Sequence, residues 1–453
     1  MLTKNQICRA QINDITSEGS GVCRIDGMAV FVPDTAAGDI LDVRIVKVLK
    51  SYAYGIIENM IEPSAERVAP DCPHYKQCGG CVFRHINYGA ECSVKNKIVS
   101  DAFSRLGGID TVPDEFIGGD STGRYRNKAQ YPLAVRDGKA VCGFYAERTH
   151  RVIPIEDCPL QPEVFADIVC TSLDFINAKK LPVYDEKSHT GILRHIYIRQ
   201  GAHSGELMVC YVVRKEFSRQ FRPLADILTK NYPHIKSVIM NVNPDKTNVI
   251  LGRDSSVLSG ADHICDTMCG NTVQISAQSF YQVNTVQAEK LYRKALEYAA
   301  PKSSDIIADL YCGVGTIGLS MAAEVGKIIG VEIVPEAIVN AKLNAAKNNI
   351  SNAEFHCGDA GEVFEKLRQK GCSPDIIVLD PPRKGCSEQT LSTVVTAAPR
   401  KVIMISCNPS TAARDAKWLG EHGYKTEKIC GVDLFPRTKH VETVCLMSKV
   451  EGK

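Results

Sequence analysis

No stretch of the 453-residue chain reaches about 18 consecutive apolar residues, which excludes an ordinary membrane-spanning helix. The first residues, MLTKNQICRAQIND, lack the basic-then-apolar layout of a secretory leader, so a cytoplasmic protein is expected. Net charge is scarce: 54 Lys and Arg against 52 Asp and Glu leave +2. Bulk electrostatics therefore do not point to nucleic acid, and any such case must rest on local patches or motifs. Cysteine, by contrast, is abundant at 19 residues. An odd number in a reducing compartment argues against a full disulfide framework. With 44% apolar and 23% charged residues the chain is globular, and its length calls for two or three domains.

Residues 1–60 contain short β-type runs, QICRAQI, MAVFVP, DILDVRIVKVL and YAYGIIENMI, separated by Gly and Asp turns. This pattern predicts a small barrel of the OB type. A proline-rich linker follows, IEPSAERVAPDCP, and then a cysteine-rich segment from Cys72. Residues 91–106 have helical periodicity and stop at Gly107-Gly108. From about 124 to 275 β-branched runs return, with a helix expected near 162–178. Beyond 276, strands and helices alternate, which predicts an α/β domain with a parallel, doubly wound sheet. The last two strands have no helix between them, so they should form a hairpin that leaves the final strand antiparallel. The expected division is 1–60 for the barrel, 70–91 with 124–275 for a central β-rich domain, and 92–123 with 276–453 for the α/β domain.

Within the α/β region, DLYCGVGTIG follows a strand and opens a helix. Gly313 and Gly315 permit a tight turn and a close backbone approach to a ligand. Glu332 ends the next strand, 19 residues after Gly313, where a carboxylate can accept from ribose hydroxyls. NAD and S-adenosylmethionine (SAM) both fit such a unit. The run from Asp309 to Gly315 lacks the third glycine that seats a pyrophosphate, and it resembles motif I of class I SAM-dependent methyltransferases. VLDPPRKG adds Asp380 at the end of a further strand. Arg383 stands where methyltransferases of exocyclic amino groups carry an aromatic ring, which argues against amino-group methylation.

Ligands of open parallel sheets sit outside the carboxyl ends of the strands. Asp380 ends DIIVLD, and Cys407 lies just past KVIMIS. Glu442 begins the antiparallel VETVCLMSK, so it should reach that same edge although it lies 35 residues beyond Cys407. A thiol and a carboxylate beside a methyl donor suit C5 methylation of uracil. Thiolate addition at C6 makes C5 nucleophilic, and a general base then removes the C5 proton.

CPHYKQCGGC spaces Cys72, Cys78 and Cys81, and Cys158 follows 77 positions after Cys81. Four thiolates suit a [4Fe–4S] cluster or structural zinc, with Cys92 a rival fourth ligand. Three stretches are candidate RNA contacts: GRYRNKAQYP, with Arg124, Arg126 and Lys128 among tyrosines; LRHIYIR, with Arg194, His195 and Arg199; and Lys50 with Tyr52.

SCNP, then HVE 35 residues after the cysteine, with SFYQVN and DPPR before them, resembles the RNA uracil-5-methyltransferase family over nearly the whole chain. The resemblance implies Cys407 as nucleophile and Glu442 as base. It implies SAM contacts from Gln282, Tyr311, Gly313, Gly315, Glu332 and Asp380, and places Phe280, Asp380 and Arg383 near the target base. It makes the barrel an RNA-binding TRAM domain. It favours a [4Fe–4S] cluster on Cys72, Cys78, Cys81 and Cys158 over zinc. The TRAM and four-cysteine layout favours 23S rRNA over tRNA, and a monomer is expected. Arg437 in FPRTKHVE departs from the family pattern, with an expected effect on substrate choice.

Overall fold

In the computed structural model, residues 2–450 are described, and they build three principal β-sheets. The first is a six-stranded barrel sheet formed by the first 62 residues, from Ile7–Gln11 to Tyr52–Glu62. Alternation along Ile40–Val48 sends Leu41, Val43 and Ile45 inward, each with no exposed surface. Phe83 and Ile86, from the cysteine-rich segment, complete this core.

The second sheet has seven strands. Its central pair, Leu193–Gln200 and Leu207–Val213, is buried along nearly its whole length. Helices Glu163–Ala178 and Ser218–Asn231 pack on one face. On the other face Tyr197, Met208, Cys210 and Ile239 join the hairpin His263–Met268/Asn271–Ser276 and the α/β domain in one apolar core. Burial on both faces explains why these strands read as continuous apolar runs.

The third sheet has eight strands, in the order Ala353–Cys357, Lys327–Glu332, Ile306–Leu310, Ile376–Leu379, Lys401–Ser406, Glu442–Lys449, Tyr424–Val432, Glu115–Ile117. The first five run parallel. Glu442–Lys449 is antiparallel to both neighbours, with Thr443 opposite Ser406. Glu442 therefore enters the sheet where Cys407 leaves it. Among the described residues no helix is long and apolar enough to cross a membrane.

Candidate active site

The carboxyl edge of the eight-stranded sheet opens into a cavity of about 1030 Å3. Gln282, Tyr311, Gly313, Glu332, Asp380, Arg383, Cys407 and Glu442 all line it, as does Phe280, which is 65% exposed. Gly315 does not line it. It precedes the helix Thr316–Met321 at φ +83°, where a Cβ would stand 3.1 Å from the Phe355 ring. Tyr311 also has positive φ (+71°), and its N–H and that of Cys312 both donate to the Val331 carbonyl. That bend ties the glycine loop to the neighbouring strand. Glu332 is held by the N–H groups of Gly313 (3.2 Å) and Val334 (2.9 Å), so its carboxylate is fixed beside the loop. A loop of this kind, with a ribose-type carboxylate at the next strand end, can hold the nucleoside part of a ligand.

The turn at Cys407 is locked locally. Asn408 caps the helix Pro409–Glu421, its side chain accepting from the Ser410 N–H, and Pro409 begins that helix without needing an N–H partner. Asn408 Nδ2 also donates to the Arg383 carbonyl at 3.1 Å, and Thr411 Oγ1 to the same oxygen at 3.4 Å. These bonds tie the DPPR loop to the cysteine turn.

Electrostatically the cavity floor is acidic. Burial, then the neighbouring Asp380, pushes the Glu442 carboxyl up to about 8. Burial, then Asp309, pushes Asp380 up to about 7. The Cys407 thiol rises to about 11 through burial and then the charges of Glu442 and Asp380. The Arg383 guanidinium opposes both the Cys407 and the Glu442 shifts. The thiol is thus protonated in the free protein near neutrality, and added positive charge in the cavity would favour the thiolate.

Among the lining residues to which sequence reading assigned no role are Asp359, Phe435 and His440. Asp359 follows the strand Ala353–Cys357, so the strand-end rule that found Asp380 applies to it as well. His440 lies 3.3 Å from Arg383 Nη2, and burial together with that guanidinium depresses its imidazole to about 4, keeping it neutral.

Cys72, Cys78, Cys81 and Cys158 line a second cavity, of about 640 Å3, with Arg84, Arg126 and Lys128. Arg84 donates to Cys81 Sγ (3.4 Å) and pairs with Asp71, while its Nη2 is buried without a partner among the described residues. Burial raises the thiols of Cys78, Cys81 and Cys158. Among the described residues no three His, Cys, Asp or Glu side chains are grouped to hold a single metal ion. Cys92 lies away from this cavity, against Tyr88 and Gly118.

Several expected RNA contacts are corrected. Arg194, His195 and Arg199 are 6%, 7% and 2% exposed. Arg194 donates to the carbonyls of Asn243 and Asp245 (both 2.8 Å), and Arg199 to those of Ser276 (2.6 Å) and Ser279 (2.7 Å). They brace backbone because their strand is covered on both faces. In GRYRNKAQYP, Arg124 is spent on Asp157, Tyr125 donates to the Pro436 carbonyl, and Tyr131 is buried. Arg437 does not line the reaction cavity. At φ +71° its N–H donates to Glu91 Oε1 (2.6 Å), its carbonyl accepts from Val82 (2.9 Å) and Phe83 (3.2 Å), and its Nη1 reaches the Ile86 carbonyl (3.0 Å). It fastens the segment before Glu442 to the cysteine-rich segment.

A family model described as tRNA (uracil-5-)-methyltransferase matches residues 201–450, and a TRAM domain model matches residues 2–57. The chain is 42% identical over 447 residues to an uncharacterized RNA methyltransferase of Halalkalibacterium halodurans, covering 98% of each chain. It is 41% identical to an uncharacterized RNA methyltransferase of Clostridium tetani, covering 98% of this chain and 97% of that one. Among solved structures, it is similar to the Pyrococcus abyssi tRNA (uracil-54, C5)-methyltransferase in complex with S-adenosyl-L-homocysteine. That match has a TM-score of 0.76 and 26% identity, over 97% of this chain and 100% of the other.

Proposed function

The chain belongs to the tRNA (uracil-5-)-methyltransferase family, and on that premise we propose that it methylates C5 of uridine in RNA with SAM as donor. The observation that carries this reading is the meeting of Cys407, Glu442 and Asp380 in one cavity with the Gly313 loop and Glu332. SAM, when bound, supplies a methyl group on a cationic sulfur. That positive charge adds to Arg383 in favouring the Cys407 thiolate. Cys407, its thiol proton lost to solvent, bonds through Sγ to C6, and the C5=C6 pair shifts through C4 onto O4, which makes C5 a nucleophile. Asp380 and Arg383 hold the pyrimidine edge, and Phe280 lies beside the base after it leaves its stack. Once C5 has taken the methyl group, with the donor sulfur leaving as a neutral thioether, Glu442 in its carboxylate form takes the C5 proton. The released pair restores C5=C6 and expels Sγ. A carboxyl held near 8 by burial suits that transfer close to neutral pH.

The resemblance of the barrel and four-cysteine layout to the rRNA branch of the family supports 23S rRNA as substrate. A second reading, tRNA, is favoured by the likeness to the Pyrococcus abyssi enzyme. Cys72, Cys78, Cys81 and Cys158 are proposed to hold a [4Fe–4S] cluster. Among the described residues Arg84 Nη2 is buried without a partner, which supports an anionic group in that cavity. When bound, such a cluster supplies redox capacity and a covalent clamp between the two distant segments.

The test is incubation of rRNA and tRNA transcripts with methyl-labelled SAM, followed by digestion to nucleosides. Label should appear in 5-methyluridine, and in rRNA in preference to tRNA. Label in another nucleoside, or in none, overturns the reading.

A further inference from the structure

The barrel carries a feature that the reaction cavity does not use. On its outer face Phe31, Tyr52 and Tyr54 form a triangle of rings, with centroid separations of 5.5, 6.0 and 5.6 Å. Strand register creates it. Met28–Val32 runs parallel to Tyr52–Glu62, with Phe31 opposite Tyr54 and Ala29 opposite Tyr52. Period-two alternation turns Val30 and Ala53 into the core, where neither is exposed, and turns the three rings outward. Tyr54 is 41% exposed. A single exposed aromatic residue needs no explanation, but three in mutual contact form a patch that buries nothing inside the molecule.

Two lysines flank the rings. Lys47 lies opposite Tyr54 across the adjacent strand, and Lys50 sits in the turn leading to Tyr52. Among the described residues neither ammonium meets a carboxylate. The arginines further along the barrel are engaged, Arg9 with Asp42 and Arg44 with Glu58. The barrel also touches the reaction cavity's rim, since Glu18 pairs with Lys439, which adjoins His440.

We propose that the Phe31–Tyr52–Tyr54 face is a stacking site for unpaired nucleobases, with Lys47 and Lys50 on the adjoining phosphates. It rests on RNA being the substrate, and it assigns the barrel a defined share of the binding. Every base has a π-face, so such a platform tolerates sequence, and paired lysines track the backbone. A duplex hides its base faces and would gain from the lysines alone.

The experiment follows anisotropy of a labelled oligouridine of about 12 nucleotides, and of a duplex of equal length, on the full chain. Tyr52→Ala/Tyr54→Ala should weaken single-strand binding about tenfold and leave the duplex within about twofold. Tyr52→Phe/Tyr54→Phe, which keeps both rings, should bind like the wild type. Tyr54→Leu, which keeps apolar bulk without the ring, should lose about threefold. Lys47→Ala/Lys50→Ala should lower the salt dependence of log K by roughly 1, as expected for the loss of one to two phosphate contacts. At saturating RNA, each variant should still form the covalent adduct with 5-fluorouridine RNA. That readout shows the variants are folded and separates failure of this site from failure of the C5 chemistry. Unchanged single-strand affinity in both the Ala and Leu variants overturns the proposal. So does an equal loss on single strand and duplex.

Discussion

Glu442 is 5% exposed and among the described residues has no cationic partner at salt-bridge distance, so its burial is costly when it is charged. Its carboxyl is raised to about 8, well above the range of an unfolded chain. Between roughly pH 4.5 and 8 the folded protein therefore binds a proton that the unfolded chain has lost. By linkage this contribution to stability is complete at low pH and is lost as pH rises through that window. Asp380 and Asp309, both raised to about 7, act in the same direction. Glu442→Gln removes one such liability. The ligand-free variant should melt close to the wild type at pH 4.5 and increasingly above it toward pH 8.5, by calorimetry. A gap that does not change with pH would contradict the buried, proton-binding carboxyl. Cys407, Asp380 and Glu442 were legible in the sequence because strand ends can be read from apolar runs. His440 was not, since its meaning comes from Arg383, which lies 57 positions away and is brought near by a loop.

At the level of elements, the segment 433–440 that leads into the Glu442 strand is held from behind by the helix Tyr88–Asp101. Lys95 of that helix has no exposed side-chain surface and donates to Glu91 Oε1 (2.7 Å), Asp433 Oδ1 (2.8 Å) and the Phe435 carbonyl (3.1 Å). Tyr88 donates to Asp433 Oδ2 at 2.9 Å. Breaking a buried pair from one side leaves uncompensated charge, at a cost of about 3–5 kcal/mol. Lys95→Met should thus lower the melting temperature markedly and slow methylation, because the segment carrying Phe435 and His440 loses its anchor. A variant that melts like the wild type would contradict this account of the clamp. The helix itself, the doubly wound sheet and the antiparallel last strand were readable from periodicity. The clamp was not, because Glu91 and Arg437 lie 346 positions apart. For the same reason LRHIYIR looked like an RNA contact. Arginines on a strand covered on both faces carry no local mark that separates them from exposed ones.

Over the whole molecule, two cavities divide the chemistry-bearing residues, and the cysteine-rich segment touches both the barrel and the segment before Glu442. Protein purified without oxygen should contain about four irons per chain if the cluster reading is right. Cys81→Ser should lose most of that iron and the accompanying visible absorbance, whereas Cys92→Ser should keep both. Zinc in place of iron, or iron retained by Cys81→Ser, would contradict it. Fluorine at C5 cannot leave as a proton, so RNA containing 5-fluorouridine should stall the reaction after methyl transfer. With SAM present, the wild-type chain should form a denaturation-resistant band with such RNA, and Cys407→Ala should form none. No band with the wild type, or an undiminished band with Cys407→Ala, would contradict the assignment of the nucleophile.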